Sequence, residues 1–340
     1  MNILVRVPNW LGDAVMSLPF FDLLGSRVPE ARVDIIARDL VADLFRHHPG
    51  INAIHPFSKR SSRGLGGLLS FGRRLGRLKS YHGFITLAPS FSSALIGVAA
   101  CRGMRIGYRG EGRSLLLTRR PALPAGLHRV QAYSRLIDYL PGAVSGGGVP
   151  PVRYPFPAVS RRRPASAGPH RSVDIVFNVN SQAATRRLPA STWVALGNRL
   201  LADSSSPKRI LFVGTSGEQQ RVDRVKAGIH NQDALVDLCG QTRLEQLARV
   251  MRRADLVISN DSGPMHLANA VGTPLLTFFG AGDPQETGPF NSSASTRIIS
   301  RPMACAPCRK NTCRHSRLHC LEDISAGEIH AAAMQLLNRP

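Results

Sequence analysis

ADLVISNDSGPMHLANAVGTPLLTFFGAGDP, residues 254–284, decides the fold. DLVISN (255–260) and PLLTFFG (274–280) are short apolar runs of strand length, and the residues near 263–271 between them carry helical apolar spacing. A strand, a helix and a strand in succession predict a parallel sheet covered on both faces. Upstream the alternation continues. VDIVFNV (173–179), RILFVG (209–214) and ALVDLC (234–239) read as further strands, with helical stretches near 190–202, 217–229 and 243–253. The first third repeats the pattern with strands at ILVRV (3–7), ARVDIIA (31–37) and GFITLA (83–88), and helical spacing from Ala14 to Leu24. Residues 141–172, dense in Pro, Gly, Ser and Arg, keep no periodic apolar face and break the pattern. The expected organisation is α/β, with domains over 1–150 and 173–325, a linker at 151–172 and a C-terminal helix over 326–340. Two such domains put a cleft between them, and ligands bind outside the carboxyl ends of the strands.

The chain has 340 residues, 43% hydrophobic and 19% charged, which is the balance of a globular protein with buried cores. Its apolar N-terminus lacks a basic leader, and Pro8, Gly12 and Asp13 interrupt it, so no export signal is expected. No uninterrupted apolar run reaches the length of about 18 residues that a spanning helix requires. A cytoplasmic protein is expected. Formal charge is +22, and between Lys59 and Arg135 fifteen Lys or Arg face one acid, Glu111. Such a stretch either attracts a polyanion or is a solvated basic face. Four of the six cysteines, Cys305, Cys308, Cys313 and Cys320, fall within sixteen residues. In a reducing compartment they are either a structural zinc site or free thiols, whereas Cys101 and Cys239 read as buried apolar residues.

Four loops leaving strands hold the candidate chemistry. In Asn9-Trp10-Leu11-Gly12-Asp13, the carboxylate at a helix start either caps that helix or serves as an ionised general base. In Asn260-Asp261-Ser262-Gly263-Pro264-Met265-His266, the helix start points backbone N–H groups at an anion, with His266 one turn in; the alternative is a capped helix with a packed histidine. Ser181 to Pro189 offers Thr185 and the pair Arg186-Arg187 to a diphosphate, and Pro189 suits a helix start. The fourth loop, Gly214 to Glu218, presents a carboxylate to a ribose or base. No GxxxxGK[ST] loop is present, so P-loop ATP hydrolysis is not indicated.

Together these segments resemble the ADP-heptose:lipopolysaccharide heptosyltransferases of glycosyltransferase family 9, of the heptosyltransferase II type. The likeness runs over nearly the whole chain and is sharpest at Gly12-Asp13, at residues 254–284 and at ETGPF (286–290). It implies a GT-B fold, two Rossmann-like domains facing each other across a cleft. It also implies an inverting, metal-independent transfer in which Asp13 is the catalytic base. Thr185, Arg186, Glu218, Asp261, Ser262, Gly263 and His266 would bind the nucleotide sugar, with Glu218 on the ribose. The family usually has Lys where Arg186 stands and Trp where Leu188 stands. The cysteine spacing C-x2-C-x4-C-x6-C resembles a cluster found in one branch of the family, which argues against a catalytic role.

With that resemblance the basic stretch gains a partner. Lys59, Arg60, Arg63, Arg119 and Arg120 would grip the carboxylates and phosphates of a Kdo-lipid A type lipopolysaccharide core. Arg73, Arg74, Arg77 and Lys79 add to the same surface, at the anionic inner face of the inner membrane. Residues 62–79 read either as an interfacial helix or as a core helix with a basic outer face. Competing expectations are a related transferase using another nucleotide sugar or surface-glycan acceptor, and a glycolipid-binding scaffold without activity. A third is a polyanion-binding or nucleic-acid-binding protein. Nucleic acid is disfavoured because the basic stretch lacks aromatic interleaving.

Overall fold

Short, strongly apolar strands separated by helices favour parallel pairing, and every strand pairing among the described residues is parallel. The computed structural model describes residues 1–58, 63–110, 112–144, 146–156, 172–203, 205–291 and 295–338. The chain divides into two units, Met1–Pro157 and Ala158–Pro340.

The first unit contains β1 (Asn2–Arg6), β2 (Arg32–Ala37), β3 (Ala53–Pro56), β4 (Gly83–Thr86) and β5 (Met104–Ile106) in the order β3-β2-β1-β4-β5. The second contains β6 (Val173–Asn178), β7 (Lys208–Phe212), β8 (Leu235–Asp237), β9 (Leu256–Asn260), β10 (Leu275–Phe279) and β11 (Thr296–Ser300) in the order β11-β10-β9-β6-β7-β8. Each sheet therefore reverses direction once, between β1 and β4 in the first unit and between β6 and β9 in the second. Loops leaving two adjacent strands part company at such a reversal and leave a crevice at the carboxyl edge.

The second unit's core is built on Trp193, whose ring lies 4.9 Å from Phe177 and 5.9 Å from Phe278, with Phe212 against Phe177. Leu188 is buried in this core, so the position before Pro189 serves packing. Helix Ala326–Leu337 lies on helix Ala190–Ala202 and against β9 and β10, all within the second unit. Among the described residues no helix is long and apolar enough to cross a membrane.

Several elements differ from the sequence reading. The helical stretch from Ala14 to Leu24 is two helices, Leu11–Met16 and Leu18–Arg27. Pro19 has no N–H to continue the first one, and the Ser17 hydroxyl donates to the Ala14 carbonyl at the break. Residues 62–79 yield helix Gly64–Leu78, whose Leu68, Phe71 and Leu75 are buried. It lies against helix Phe91–Ala100 so closely that a Cβ on Gly72 would meet the Ile96 carbonyl oxygen at 2.6 Å. The helix is a core helix. Of the expected linker, residues 157–171 lie outside the described residues, while Val152 and Tyr154 are buried.

Candidate functional site

The reversal between β6 and β9 brings two of the four sequence-selected loops together, although they lie about eighty residues apart. Buried amides stitch them. Asn178 Nδ2 donates to Ser259 Oγ at 2.8 Å and to Ser262 Oγ at 2.7 Å. The Leu188 N–H donates to Asn260 Oδ1 at 3.0 Å, and Ser181 Oγ to the Asp261 carbonyl at 2.9 Å. Asn178 was not singled out in the sequence, and Asn260 was named only as the first residue of its loop. An amide at a strand end is legible as a linking residue only once the neighbouring strand is known.

Ser262 precedes helix Gly263–Val271 in extended conformation, and its hydroxyl turns back to the Asn260 carbonyl instead of capping. Pro264 sets the first turn, and Gly272, at φ 78°, ends the helix in the left-handed region. The helix start thus has no side-chain cap, and its dipole favours an anion there. His266 is buried in that first turn. Of the alternative reading, the side-chain cap is not found, whereas the packed histidine is.

Asp261 is 2% exposed, and Arg186 Nη1 stands 3.4 Å from its Oδ2. Burial pushes the Asp261 carboxyl up to about 6 against the pull of Arg186. A Cβ on Gly282 would meet Asp261 Oδ2 at 2.1 Å, so only glycine leaves this carboxylate its place. The two adjacent arginines separate in role. Arg186 faces Asp261, whereas Arg187 donates to the Ser181 and Gln182 carbonyls at 2.6 Å each and braces the loop. Thr185 is buried and donates to the Lys310 carbonyl at 2.6 Å. Glu218 lies beyond the carboxyl end of β7, where its Oε2 accepts from the Thr215 N–H and hydroxyl in a capping box.

In the first unit, Asp13 is the third residue of helix Leu11–Met16, whose N-cap is Trp10, so it is not the helix cap. Tyr133 Oη donates to Asp13 Oδ1 at 3.3 Å, and Arg129 Nε stands 4.0 Å from the same oxygen. Burial first, and the Asp13 carboxylate beside it, push the Tyr133 phenol well above its ordinary range, so it remains a donor. The carboxylate is held by a phenol and a guanidinium and keeps about a third of its side-chain surface exposed.

Sequence reasoning missed Arg6. This buried guanidinium donates to the Val7 carbonyl at 2.7 Å, the Ile36 carbonyl at 3.1 Å and Asn9 Oδ1. Burial, with Arg38 nearby, lowers it to about 10, and it lies over the Phe57 ring. It ties the start of the Asn9–Asp13 loop to the ends of β1 and β2. An arginine at the carboxyl end of an otherwise apolar strand was the available signal.

Not all fifteen basic residues form a surface. Arg113 is buried and donates to the Tyr108, Pro89 and Arg109 carbonyls, and Arg105 donates to the Leu116, Cys101 and Gly103 carbonyls. Arg63, Arg119 and Arg120 are exposed, while Lys59 and Arg60 lie outside the described residues. Cys305, Cys308, Cys313 and Cys320 are free thiols of intermediate exposure. Burial, and then the other three thiols, push Cys320 up. Among the described residues no group of three or more His, Cys, Asp or Glu is arranged to hold a metal ion. The cysteine segment adjoins the second unit's loops. The Arg309 N–H donates to the Ala281 carbonyl, and its guanidinium pairs with Asp283 at 2.8 Å and Glu286 at 2.7 Å.

A family model described as glycosyltransferase family 9 (heptosyltransferase) matches residues 68–319. Lipopolysaccharide heptosyltransferase 2 of Salmonella typhimurium is 27% identical over 321 residues, which is 88% of each chain. Among solved structures, Escherichia coli ADP-heptose lipopolysaccharide heptosyltransferase II superposes with a TM-score of 0.78 at 24% identity, covering 99% of this chain and 98% of that one. E. coli heptosyltransferase WaaC, solved with ADP-2-deoxy-2-fluoro heptose, gives a TM-score of 0.72 at 21% identity, covering 98% and 99%. These likenesses establish the fold as GT-B.

Proposed function

Because the chain belongs to glycosyltransferase family 9, the heptosyltransferase family, we propose that it transfers heptose from ADP-L-glycero-D-manno-heptose to the inner core of a lipopolysaccharide. Asp13 accepts a proton from an acceptor hydroxyl as that oxygen bonds to the anomeric carbon. The bond from that carbon to the ADP oxygen breaks on the opposite face, ADP leaves with the electron pair, and the configuration inverts. Arg186, His266 and the uncapped start of helix Gly263–Val271 meet the negative charge that grows on the diphosphate. Glu218, beyond β7, would reach the ribose, while buried Thr185 serves the site by tying its loop to the Lys310 carbonyl. These groups neutralise the diphosphate themselves, so no step is routed through a metal, and turnover should survive a chelator. Less than about one zinc per chain in a reduced preparation would leave the four clustered cysteines as free thiols.

The observation that carries the reading is the uncapped helix start beside the Arg186–Asp261 pair at the β6–β9 reversal. The acceptor is a Kdo-lipid A type core, held by the basic side chains of the first unit at the anionic inner face of the inner membrane. Nucleic acid is not a partner in this reading. The test is ADP release from ADP-heptose with a Kdo-bearing lipid A acceptor, for the wild type and Asp13→Ala. Acceptor-dependent release that falls by two or more orders of magnitude in the variant is expected, at the scale of general base catalysis. Release that Asp13→Ala leaves intact would remove the base assignment, and no release by the wild type would remove the donor or the acceptor.

A further inference from the structure

A serine standing in extended conformation before a helix ordinarily turns its hydroxyl oxygen to a backbone N–H of the first turn. Two helices of this chain follow that rule. Ser90 Oγ accepts from the Ser93 N–H at 3.3 Å ahead of helix Phe91–Ala100, and Ser325 Oγ accepts from the Glu328 N–H at 3.1 Å ahead of helix Ala326–Leu337. Ser262 is also extended, at φ −164° and ψ 174°, yet its helix has no side-chain cap. The backbone is ready for the cap, and the hydroxyl is held elsewhere.

What holds it is a closed ring of hydrogen bonds between β6 and β9. Asn178, fully buried at the carboxyl end of β6, spends one amide hydrogen on Ser262 Oγ and the other on Ser259 Oγ. Both hydroxyls then donate to a single acceptor, the Asn260 carbonyl, Ser259 Oγ at 2.8 Å and Ser262 Oγ at 3.2 Å. The first bonds set the direction of the rest. An amide nitrogen only donates, so each serine must send its own proton onward. The one proton of the Ser262 hydroxyl is thus spent on a carbonyl and is not offered to a phosphate.

We propose that Asn178 is a positioning residue for nucleotide binding: by holding the Ser262 hydroxyl away, it keeps the start of helix Gly263–Val271 open for the donor's diphosphate. The proposal rests on the transferase reading above for the identity of the anion. Pro264 has no N–H, so the first turn presents those of Gly263 and Met265, and the second of these bonds the Ser262 carbonyl at 3.1 Å. A capping serine oxygen would settle on the Met265 N–H, as Ser90 and Ser325 settle three residues ahead of themselves. There it would compete with a phosphate oxygen for the same donor. Arg186 and the helix dipole remain, so loss of Asn178 weakens the site without abolishing it.

Titration calorimetry of ADP into the full-length protein, with no acceptor present, reads the site without the reaction. Asn178→Leu keeps the branched shape of the side chain and removes both donors; Asn178 Oδ1, which it also removes, has no partner among the described residues. The ADP Kd should rise about five-fold, the worth of a serine cap. Ser262→Ala by itself should leave the Kd unchanged. The double variant Asn178→Leu/Ser262→Ala should recover most of the lost affinity, because no hydroxyl is left to turn onto the helix start. A residue that merely props the loop would not be rescued by deleting a further hydrogen bond. Should the leucine variant not fold, Asn178→Ala carries the same comparison. An unchanged Kd in the single Asn178 variant, or a loss that Ser262→Ala leaves in place or deepens, overturns the proposal. So does a comparable loss in Ser262→Ala alone, which would make that hydroxyl a ligand. In each of these results the wild type still binds ADP and the transferase reading stands. A wild type that binds no ADP removes that reading and this proposal together.

Discussion

Asp261 and Arg6 are both charged groups held out of water, and each makes a measurable demand on the fold. A carboxyl whose folded pKa is raised binds more protons folded than unfolded, so stability is lost as pH climbs from about 4 to about 6. A rise to about 6 corresponds to roughly 2 to 3 kcal/mol at neutral pH, as an upper bound. Asp261→Asn carries no such penalty and should melt higher than the wild type at pH 7.5, by a margin that shrinks towards pH 4. Thermal melts giving the same margin at both ends would show that ionisation there costs nothing. Arg6→Met strands the Val7 and Ile36 carbonyls and Asn9 Oδ1, at about 1 kcal/mol or more for each buried acceptor. Its urea midpoint should fall, and kcat should drop at least ten-fold with donor KM little changed, because the Asn9–Asp13 loop loses its anchor. Proportional changes in kcat and donor KM would separate Arg6 from that loop. Of these two residues the sequence exposed only Asp261, through its motif. Arg6 stayed hidden because two of its three acceptors are backbone carbonyls, which leave no trace in a residue pattern.

At the scale of elements, helix Gly64–Leu78 illustrates how far periodicity reaches. Leucines and a phenylalanine at helical spacing with arginines opposite describe a membrane-lying helix and a buried helix equally well. The glycines distinguish them. Gly72 faces helix Phe91–Ala100 at contact distance, while a Cβ on Gly66 would meet nothing within 4 Å. Gly72→Ala should therefore lower stability by about 1 to 3 kcal/mol through overpacking. Gly66→Ala, in the same helix but exposed, should raise it by up to about 1 kcal/mol. Denaturant titrations in which both variants move the same way would remove the close helix contact. The strands that escaped the sequence reading, β3, β5 and β11, each lie at a sheet edge. Their apolar pattern is weak because pairing to one neighbour, and not burial on both faces, forms them. The central strands β1, β2, β6, β9 and β10 were legible because two covering layers force an unbroken apolar run.

Across the whole molecule, the parallel α/β class was readable from strand length and alternation, but strand order was not. The Ser181–Pro189 and Asn260–His266 loops meet only because β9 pairs with β6 across about eighty intervening residues, and no local signal encodes that neighbour. The charge of +22 was plain, yet its use required the fold, since Arg105 and Arg113 hold backbone carbonyls while Arg63, Arg119 and Arg120 face solvent. Raising salt from low to well above physiological strength should raise acceptor KM by about ten-fold or more. Donor KM should move less, because Arg186 acts at short range beside buried Asp261; equal shifts would place both substrates on the same exposed charges. Each unit is also one uninterrupted stretch of chain, Met1–Pro157 before Ala158–Pro340. Two all-parallel sheets in one chain invite strands of one to insert in the other, since any short apolar strand offers the same hydrogen-bond ladder. Synthesis from the N-terminus at about 5 to 20 residues per second gives the first sheet several seconds or more before the second is complete. The order of translation thus acts as a chaperone in time, and refolding of the full-length chain from denaturant forgoes that protection.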